Sequence, residues 1–149
     1  MNMNEMDSMI DQLYCDEILD LARNSPHRGD LNHPDLLACL SNPLCGDELT
    51  IALKLAPPEN PDDTDPDHRR IEAFRFVGHG CAISQAAVEL LAEHLEGRTL
   101  AEARAFGERD LLDLLGLPLT PARLKCGLLG LRALKRALDA EARDRGRPS

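Results

Sequence analysis

Three short stretches of the chain each place a cysteine in a setting that suits a metal ligand or a nucleophile. They are Asn-Pro-Leu-Cys-Gly-Asp at residues 42–47, Gly-His-Gly-Cys-Ala-Ile-Ser at residues 78–84 and Arg-Leu-Lys-Cys at residues 123–126. The three stretches lie far apart in the sequence, so only a folded domain can bring them together. If they converge, three thiolates and the carboxylate of Asp47 form a four-ligand set for a metal ion.

The first cysteine, Cys45, is expected in a tight turn just before a strand, because Pro43 and Gly46 bracket it. Asp47 follows two residues later. A bent backbone at this point can direct the thiol and the carboxylate toward one centre.

The second and third cysteines are expected on helices. Cys81 follows two glycines and opens a helical stretch, where backbone donors and the helix dipole stabilise a thiolate. Cys126 lies one to two turns into the last helix. Arg123 and Lys125 could be only exposed cations of a first helical turn, but their place beside Cys126 favours a role in offsetting the negative charge of a thiolate site.

Spacing alone does not identify the site. The chain has no C-x-x-C or H-x-x-H pair, so the usual zinc-ribbon signatures are absent. Free cysteines are often simply buried, which leaves a shared metal site open at this point. Cys15 and Cys39 are expected to be packing or surface thiols. His79 is a candidate base or ligand next to Cys81, or a solvated loop histidine.

Composition narrows the function classes. A chain of 149 residues with 43% apolar residues suits one compact domain, and aromatic residues at 3% predict an aliphatic core. The net charge of −9 argues against binding to a nucleic-acid backbone or to an anionic membrane surface. We therefore expect a single domain over residues 1–149 that binds neither nucleic acid nor a membrane.

The predicted location is the cytoplasm. Residues 1–12 are acidic and lack the pattern of a secretory signal, and no apolar stretch approaches the roughly 18 residues needed to span a bilayer. In a reducing compartment, five cysteines are expected as ligands, nucleophiles or buried thiols rather than disulfides.

The elements that must position the cysteines follow from apolar periodicity. The expected fold is α+β, with a small antiparallel three-stranded sheet packed against about five helices. An acidic, proline-rich segment at residues 56–70 is expected to be a solvated hairpin loop without regular structure. Strands are predicted at residues 36–40, 48–55 and 71–77, and helices at 8–23, 81–97, 99 onward, 108–115 and 120–143.

Taken together, the three cysteine stretches resemble the ligand motifs of the SufU/IscU family of iron–sulfur cluster assembly proteins, which also occurs as the N-terminal domain of NifU. Tyr14, the segment 17–20 and Arg23 with Asn24 resemble the first helix of that family. The resemblance covers nearly the whole chain, and the conjunction of all three motifs in this order is specific.

The resemblance implies a protein that accepts sulfur from a pyridoxal-phosphate-dependent cysteine desulfurase of the SufS or IscS type and passes it to cluster assembly or to apo iron–sulfur proteins. By likeness to the zinc-binding SufU branch, Cys45, Asp47, Cys81 and Cys126 would hold one Zn²⁺. Cys45 would take the persulfide after a histidine of the partner displaces it from the metal. In the alternative scaffold role, the same ligands would hold iron or a nascent 2Fe–2S cluster.

The chain combines features of both branches. IscU and NifU proteins usually have histidine at the position of Lys125. Lysine at this position is typical of SufU proteins. The spacing between the second and third cysteines is short, as in IscU, and lacks the insertion typical of zinc-dependent SufU proteins. Residues 85–89 also replace the family's usual stretch rich in serine and methionine. The zinc-dependent and scaffold roles therefore both remain open.

Two further function classes compete with these. A thiol hydrolase or transferase using Cys81 and His79 would lack a visible orienting carboxylate. An adaptor with a purely structural zinc is the second, but a carboxylate ligand such as Asp47 suits an exchangeable site better than a structural one.

Overall fold

A three-stranded antiparallel sheet and six helices make up the part of the chain that the structure, a computed structural model, describes: residues 16–43, 46–116 and 119–145. Residues 16–23 are the described part of helix α1. The elements that follow are β1 (Leu36–Asn42), β2 (Asp47–Leu55), β3 (Ile71–His79), α2 (Ala82–Leu95), α3 (Leu100–Ala105), α4 (Glu108–Leu115), α5 (Pro121–Gly127) and α6 (Leu129–Arg145).

The sheet has the order β1-β2-β3, with antiparallel pairing throughout. The predicted apolar face of β2 is confirmed: its four leucine and isoleucine side chains are buried. The strands are longer than predicted, since β2 begins at Asp47 and β3 ends at His79. Because Glu48 pairs with His79, the start of β2 lies beside the turn that leads into α2.

The helices cover one face of the sheet. Side chains from the sheet and the helical layer form one mainly aliphatic core that includes three phenylalanines, as the composition predicted. No helix in the described ranges is both long enough and apolar enough to cross a membrane. The largest fully buried side chains include Phe74, Phe76, Leu91, Leu95, Leu111 and Leu131.

The prediction of one helix over residues 120–143 was wrong, because α5 and α6 are separated at Leu128 (φ −90°, ψ −3°). Close packing on α2 accounts for glycine just after this break. A Cβ on Gly130 would lie 2.9 Å from Cγ2 of Val88. The helical content is otherwise as expected, with one more helix than the periodicity indicated.

The acidic segment is a hairpin loop between β2 and β3, as predicted. The prediction that it is solvated throughout and has no regular structure was wrong. Pro66–His68 form one 3-10 turn. Asp67 accepts hydrogen bonds from Arg104 Nε at 2.9 Å and from Arg145 Nη2 at 3.1 Å. Two arginines from α3 and α6 therefore anchor the end of the loop to the helical layer.

Candidate metal centre

Three of the predicted site residues meet at one point. Asp47 starts β2, Cys81 immediately precedes α2, and Cys126 lies near the end of α5. A carboxylate oxygen of Asp47 and the two sulfur atoms all lie within 4.8 Å of one another. Cys45, the fourth predicted ligand, lies outside the described residues, so its membership stays a prediction.

The carboxylate of Asp47 is buried, with 3% of the residue exposed. Its Oδ1 accepts a hydrogen bond of 3.1 Å from the backbone N–H of Cys81. Its Oδ2 is also buried and has no hydrogen-bond partner among the described residues. Leaving a buried acceptor unsatisfied costs about 1–3 kcal/mol, and more for a charged group. Such an oxygen beside two thiols has the chemistry of a free metal ligand.

Glycine at position 80 allows the carboxylate of Asp47 and the hydroxyl of Ser84 to lie close to the backbone that precedes Cys81. A Cβ on Gly80 would lie 2.6 Å from Oγ of Ser84 and 2.8 Å from Cγ of Asp47. A side chain here would therefore push directly on the carboxylate. The sequence analysis quoted this glycine within its motif without recognising that it is required for close packing.

Ser84 is a residue of the site that the sequence analysis did not single out. It is fully buried, and its hydroxyl donates a hydrogen bond of 2.9 Å to the backbone carbonyl of Cys81. The Sγ of Cys81 lies 3.8 Å from the same hydroxyl. The signal in the sequence was its position three residues after Cys81, in the first turn of α2. Ser84 thus holds the backbone that carries the exposed thiol.

The predicted start of α5 is confirmed. Pro121 occupies the first turn, and the side chain of Thr120 accepts a hydrogen bond of 3.4 Å from the backbone N–H of Arg123. Arg123 and Lys125 are exposed, and neither side chain forms an ion pair with a described residue. Their supporting role at the site remains a prediction.

The remaining cysteine and histidine candidates lie away from this constellation or outside the described ranges. Cys39 is an exposed thiol on β1, 3.7 Å from Oε1 of Glu48, as expected for a surface thiol. His79 is the exposed last residue of β3 rather than a loop residue. Within the described chain no carboxylate hydrogen-bonds to His79, so the orienting group that a thiol hydrolase needs is not found there. Cys15 lies outside the described residues.

A second group of candidate ligand atoms, from His27, Glu89 and Glu93, has a different character. His27 contacts both oxygens of the fully buried Glu89: Nδ1 lies 2.6 Å from Oε2, and the backbone N–H donates to Oε1 at 2.9 Å. This carboxylate is therefore satisfied without a metal, unlike that of Asp47. The sequence analysis gave His27 no role, because its partner lies 62 positions away.

Comparison with known proteins agrees with this arrangement. Residues 13–145 match the family described as the NifU-like N terminal domain. Similar proteins include the zinc-dependent sulfurtransferase SufU of Bacillus subtilis, which is 27% identical over 89% of this chain and 93% of its own. The iron–sulfur cluster assembly scaffold protein IscU of Streptococcus pyogenes is 28% identical over 91% of this chain and 88% of its own.

A solved structure shares the fold. The crystal structure of SufU from Fervidobacterium islandicum, described as a candidate iron–sulfur cluster assembly scaffold protein for the SUF system, has a TM-score of 0.63 and 27% identity. The match covers 82% of this chain and 93% of that one. With the family matched from end to end of the described elements, the chain belongs to the family of NifU-like N-terminal domains.

Proposed function

We propose that the chain accepts persulfide sulfur on Cys45 from a pyridoxal-phosphate-dependent cysteine desulfurase and passes it to iron–sulfur cluster assembly. In this proposal Cys45, Asp47, Cys81 and Cys126 form the metal site. The convergence of the last three residues supports it, and so does the similarity to proteins named for sulfur transfer and for cluster assembly.

One observation carries the proposal: the buried carboxylate of Asp47 lies next to two thiols, and its Oδ2 has no hydrogen-bond partner among the described residues. Two sulfurs and one carboxylate oxygen, with a third sulfur from Cys45, match the ligand types and the number that Zn²⁺ prefers. The site would then carry a charge of roughly −2. Zinc, when bound, would keep the thiols deprotonated without redox chemistry of its own.

The transfer step itself is thiol chemistry. The thiolate of Cys45 attacks the terminal sulfur of the persulfide on the desulfurase, forming a new S–S bond. The S–S bond of the donor persulfide breaks, and the desulfurase cysteine leaves as a thiolate. Cys45 then carries the persulfide. The net reaction moves one sulfur atom and needs no external oxidant or reductant.

The scaffold role is the second candidate, and the near-equal similarity to a SufU and to an IscU protein favours keeping it. The same thiols and carboxylate would then bind the cluster as cargo. Anaerobic addition of ferric iron and sulfide, which together form the oxidised 2Fe–2S cluster without a further oxidant, separates the two roles. A stable visible absorption of a 2Fe–2S cluster that resists added zinc would favour the scaffold, whereas its displacement by stoichiometric zinc would favour the sulfur acceptor.

A purely structural zinc is the third possibility. It predicts that chelation unfolds the protein and that the folded, zinc-bound protein accepts no sulfur from the desulfurase. The sulfur-acceptor proposal predicts instead that removing zinc lowers sulfur acceptance while most of the secondary structure persists.

The proposal is tested by the rate at which a cysteine desulfurase converts cysteine to alanine, with and without this protein. An acceptor removes the persulfide from the desulfurase and so raises the rate of alanine formation. We expect wild type to raise this rate and Cys45→Ala to leave it at the basal level, while Cys39→Ala, a change at an exposed surface thiol, behaves as wild type. Equal stimulation by all three proteins would overturn the proposal.

A further inference from the structure

A groove of about 550 Å³ lies on the face of α6, away from the metal centre. Leu40 of β1 and Leu131 of α6 form its apolar part. Four cations also line it, against two carboxylates from Glu108 and Asp139. The cations are Arg132, Lys135, Arg136 and Arg143.

The groove is a basic region on an acidic protein. The chain carries a net charge of −9, yet residues 121–145 hold seven Lys and Arg against three Asp and Glu. Excess positive charge concentrated on one helix of an otherwise acidic protein attracts anionic groups to that place and repels them elsewhere.

Three of the four cations form no ion pair with a described residue. The fourth, Lys135, is bound within the fold, because its Nζ donates to the backbone carbonyls of Ala103 and Arg104, at 3.1 Å and 2.7 Å. The exposed side chains of Arg132, Arg136 and Arg143 form no ion pair with a described residue. Most other arginines in the described ranges are paired or hydrogen-bonded, among them Arg70 with Glu59, Arg75 with Glu96, Arg98 with Glu102 and Arg104 with Asp67.

The strand beside the groove indicates the shape of an occupant. Leu40 belongs to β1, an edge strand that pairs only with β2 among the described strands. The free edge of such a strand offers backbone donors and acceptors to an extended segment. Along α6, Arg132 and Arg136 are about 6 Å apart in helical rise, close to the repeat of about 6.6 Å between alternate side chains of an extended chain.

We propose that this groove binds an extended acidic segment of a partner protein, whose carboxylates contact Arg132, Arg136 and Arg143. Arginine pairs with carboxylates through two parallel hydrogen bonds, so three guanidinium groups that form no ion pair within the described ranges make a recognition surface for Asp and Glu. From Leu131 to Arg143 the groove extends about 18 Å, enough for about six extended residues. Binding here is independent of whether the metal site is occupied.

The test uses a fluorescein-labelled peptide of about ten residues, in which Asp or Glu alternates with Val, Thr or Ala. Its affinity is measured by fluorescence anisotropy with the full chain. The matched probe has Lys in place of every acidic residue. We expect the acidic peptide to bind wild type, with weaker binding as salt is raised, and the lysine peptide not to bind.

Two charge-reversal variants with the same net charge locate the site. Arg132→Glu with Arg136→Glu should weaken binding of the acidic peptide by about tenfold or more. The control pair, Arg23→Glu with Arg109→Glu, changes exposed arginines of α1 and α4 and should bind within about twofold of wild type. All four positions are exposed, and far-UV circular dichroism checks that both variants are folded.

Four outcomes would overturn the proposal. Absence of binding of the acidic peptide to wild type at millimolar concentration is the first, and equal weakening in both charge-reversal variants is the second. The third is equally tight, groove-dependent binding of a single-stranded oligonucleotide of the same charge, which would make the groove a general polyanion site. A wild-type dimer in light scattering that becomes monomeric in Arg132→Glu with Arg136→Glu would likewise contradict it, by assigning the face to a second copy of the chain.

Discussion

The carboxylate of Asp47 is held by Cys81 through only one of its two oxygens. Oδ1 accepts the backbone N–H of Cys81 at 3.1 Å, while Oδ2 is buried without a partner among the described residues. The hydrogen bond fixes the direction of the carboxylate. The carboxylate is thereby held next to the thiols of Cys81 and Cys126, with one oxygen available to a metal ion.

Asp47→Asn tests the role of this oxygen. The amide keeps an acceptor for the N–H of Cys81 but loses the charge, so we expect the dissociation constant for Zn²⁺ to rise by at least about tenfold. Without metal, an uncompensated buried charge is removed, so the free energy of unfolding of the metal-free variant should equal or exceed that of wild type. Competition with a chromophoric chelator and urea unfolding measure the two quantities. The control is Asp113→Asn, a change at an exposed residue of α4. If Asp47→Asn binds zinc as tightly as this control, Asp47 is not a ligand.

Gly80→Ala tests the close packing behind the carboxylate. The new methyl group would lie within 3 Å of both Ser84 Oγ and Asp47 Cγ, so the carboxylate must shift. We expect zinc affinity to fall by about tenfold. Gly107→Ala is the matched control, because the nearest atom to its Cβ is 3.8 Å away. Identical zinc affinity in the two variants would show that Gly80 has no part in holding the site.

His27→Ala tests the second polar cluster as a structural element. Glu89 has no exposed surface, and without the His27 ring it would keep only the backbone N–H of His27 and the neighbouring carboxyl group of Glu93 as partners. The buried carboxylate would thus lose its only cationic partner among the described residues. We expect the free energy of unfolding to fall by about 3 kcal/mol in urea. His79→Ala, at an exposed position, should change it by less than about 0.5 kcal/mol. Stabilisation by added Zn²⁺ that is present in wild type and lost in His27→Ala would contradict a metal-independent role.

Asp67→Asn tests the anchoring of the acidic loop and its pH dependence. Burial alone would raise the pKa of Asp67, but the hydrogen bonds and charges of Arg104 and Arg145 outweigh it and lower the pKa below its ordinary value of 3.8. A lowered pKa in the folded state stabilises the fold above the unfolded pKa, and this contribution is lost as pH falls through the folded pKa.

The Asn variant should therefore be less stable than wild type at pH 7, by about 1 kcal/mol for partly exposed pairs. The difference should shrink below pH 4. Thermal unfolding as a function of pH measures it, with Asp62→Asn in the same loop as control. A difference that stays constant from pH 7 down to pH 3 would argue against the ion pairs as its cause.

Local sequence patterns predicted the helices and strands that lie at the site. They failed where contacts between residues distant in sequence determine the structure. Alternating apolar residues placed the face of β2, and Thr120 with Pro121 placed the start of α5. The break at Leu128 had no local signal, because packing of Gly130 on Val88 involves a different helix. The same reason hid the contact of His27 with Glu89 and the anchoring of Asp67 by Arg104.

For the candidate site, spacing alone left convergence of the three cysteines open, and the resemblance to a family supplied the expectation. The structure brings Asp47, Cys81 and Cys126 together. The position of Cys45 relative to them is not part of the described structure, so its role depends on experiment. Ser84 escaped the analysis because its contribution is to the backbone of Cys81 rather than to chemistry of its own.

The most direct test of the account is peptide-mapped mass spectrometry of the zinc-loaded protein after incubation with a cysteine desulfurase from the same organism and cysteine, without reductant. The account predicts a mass increase of one sulfur atom on the peptide that contains Cys45. Chymotryptic cleavage after Leu40 places Cys39 and Cys45 on different peptides. The account predicts no increase on the peptide that contains Cys39, and no increase anywhere in Cys45→Ala. Unmodified Cys45, with the desulfurase shown to be turning over, would contradict the account.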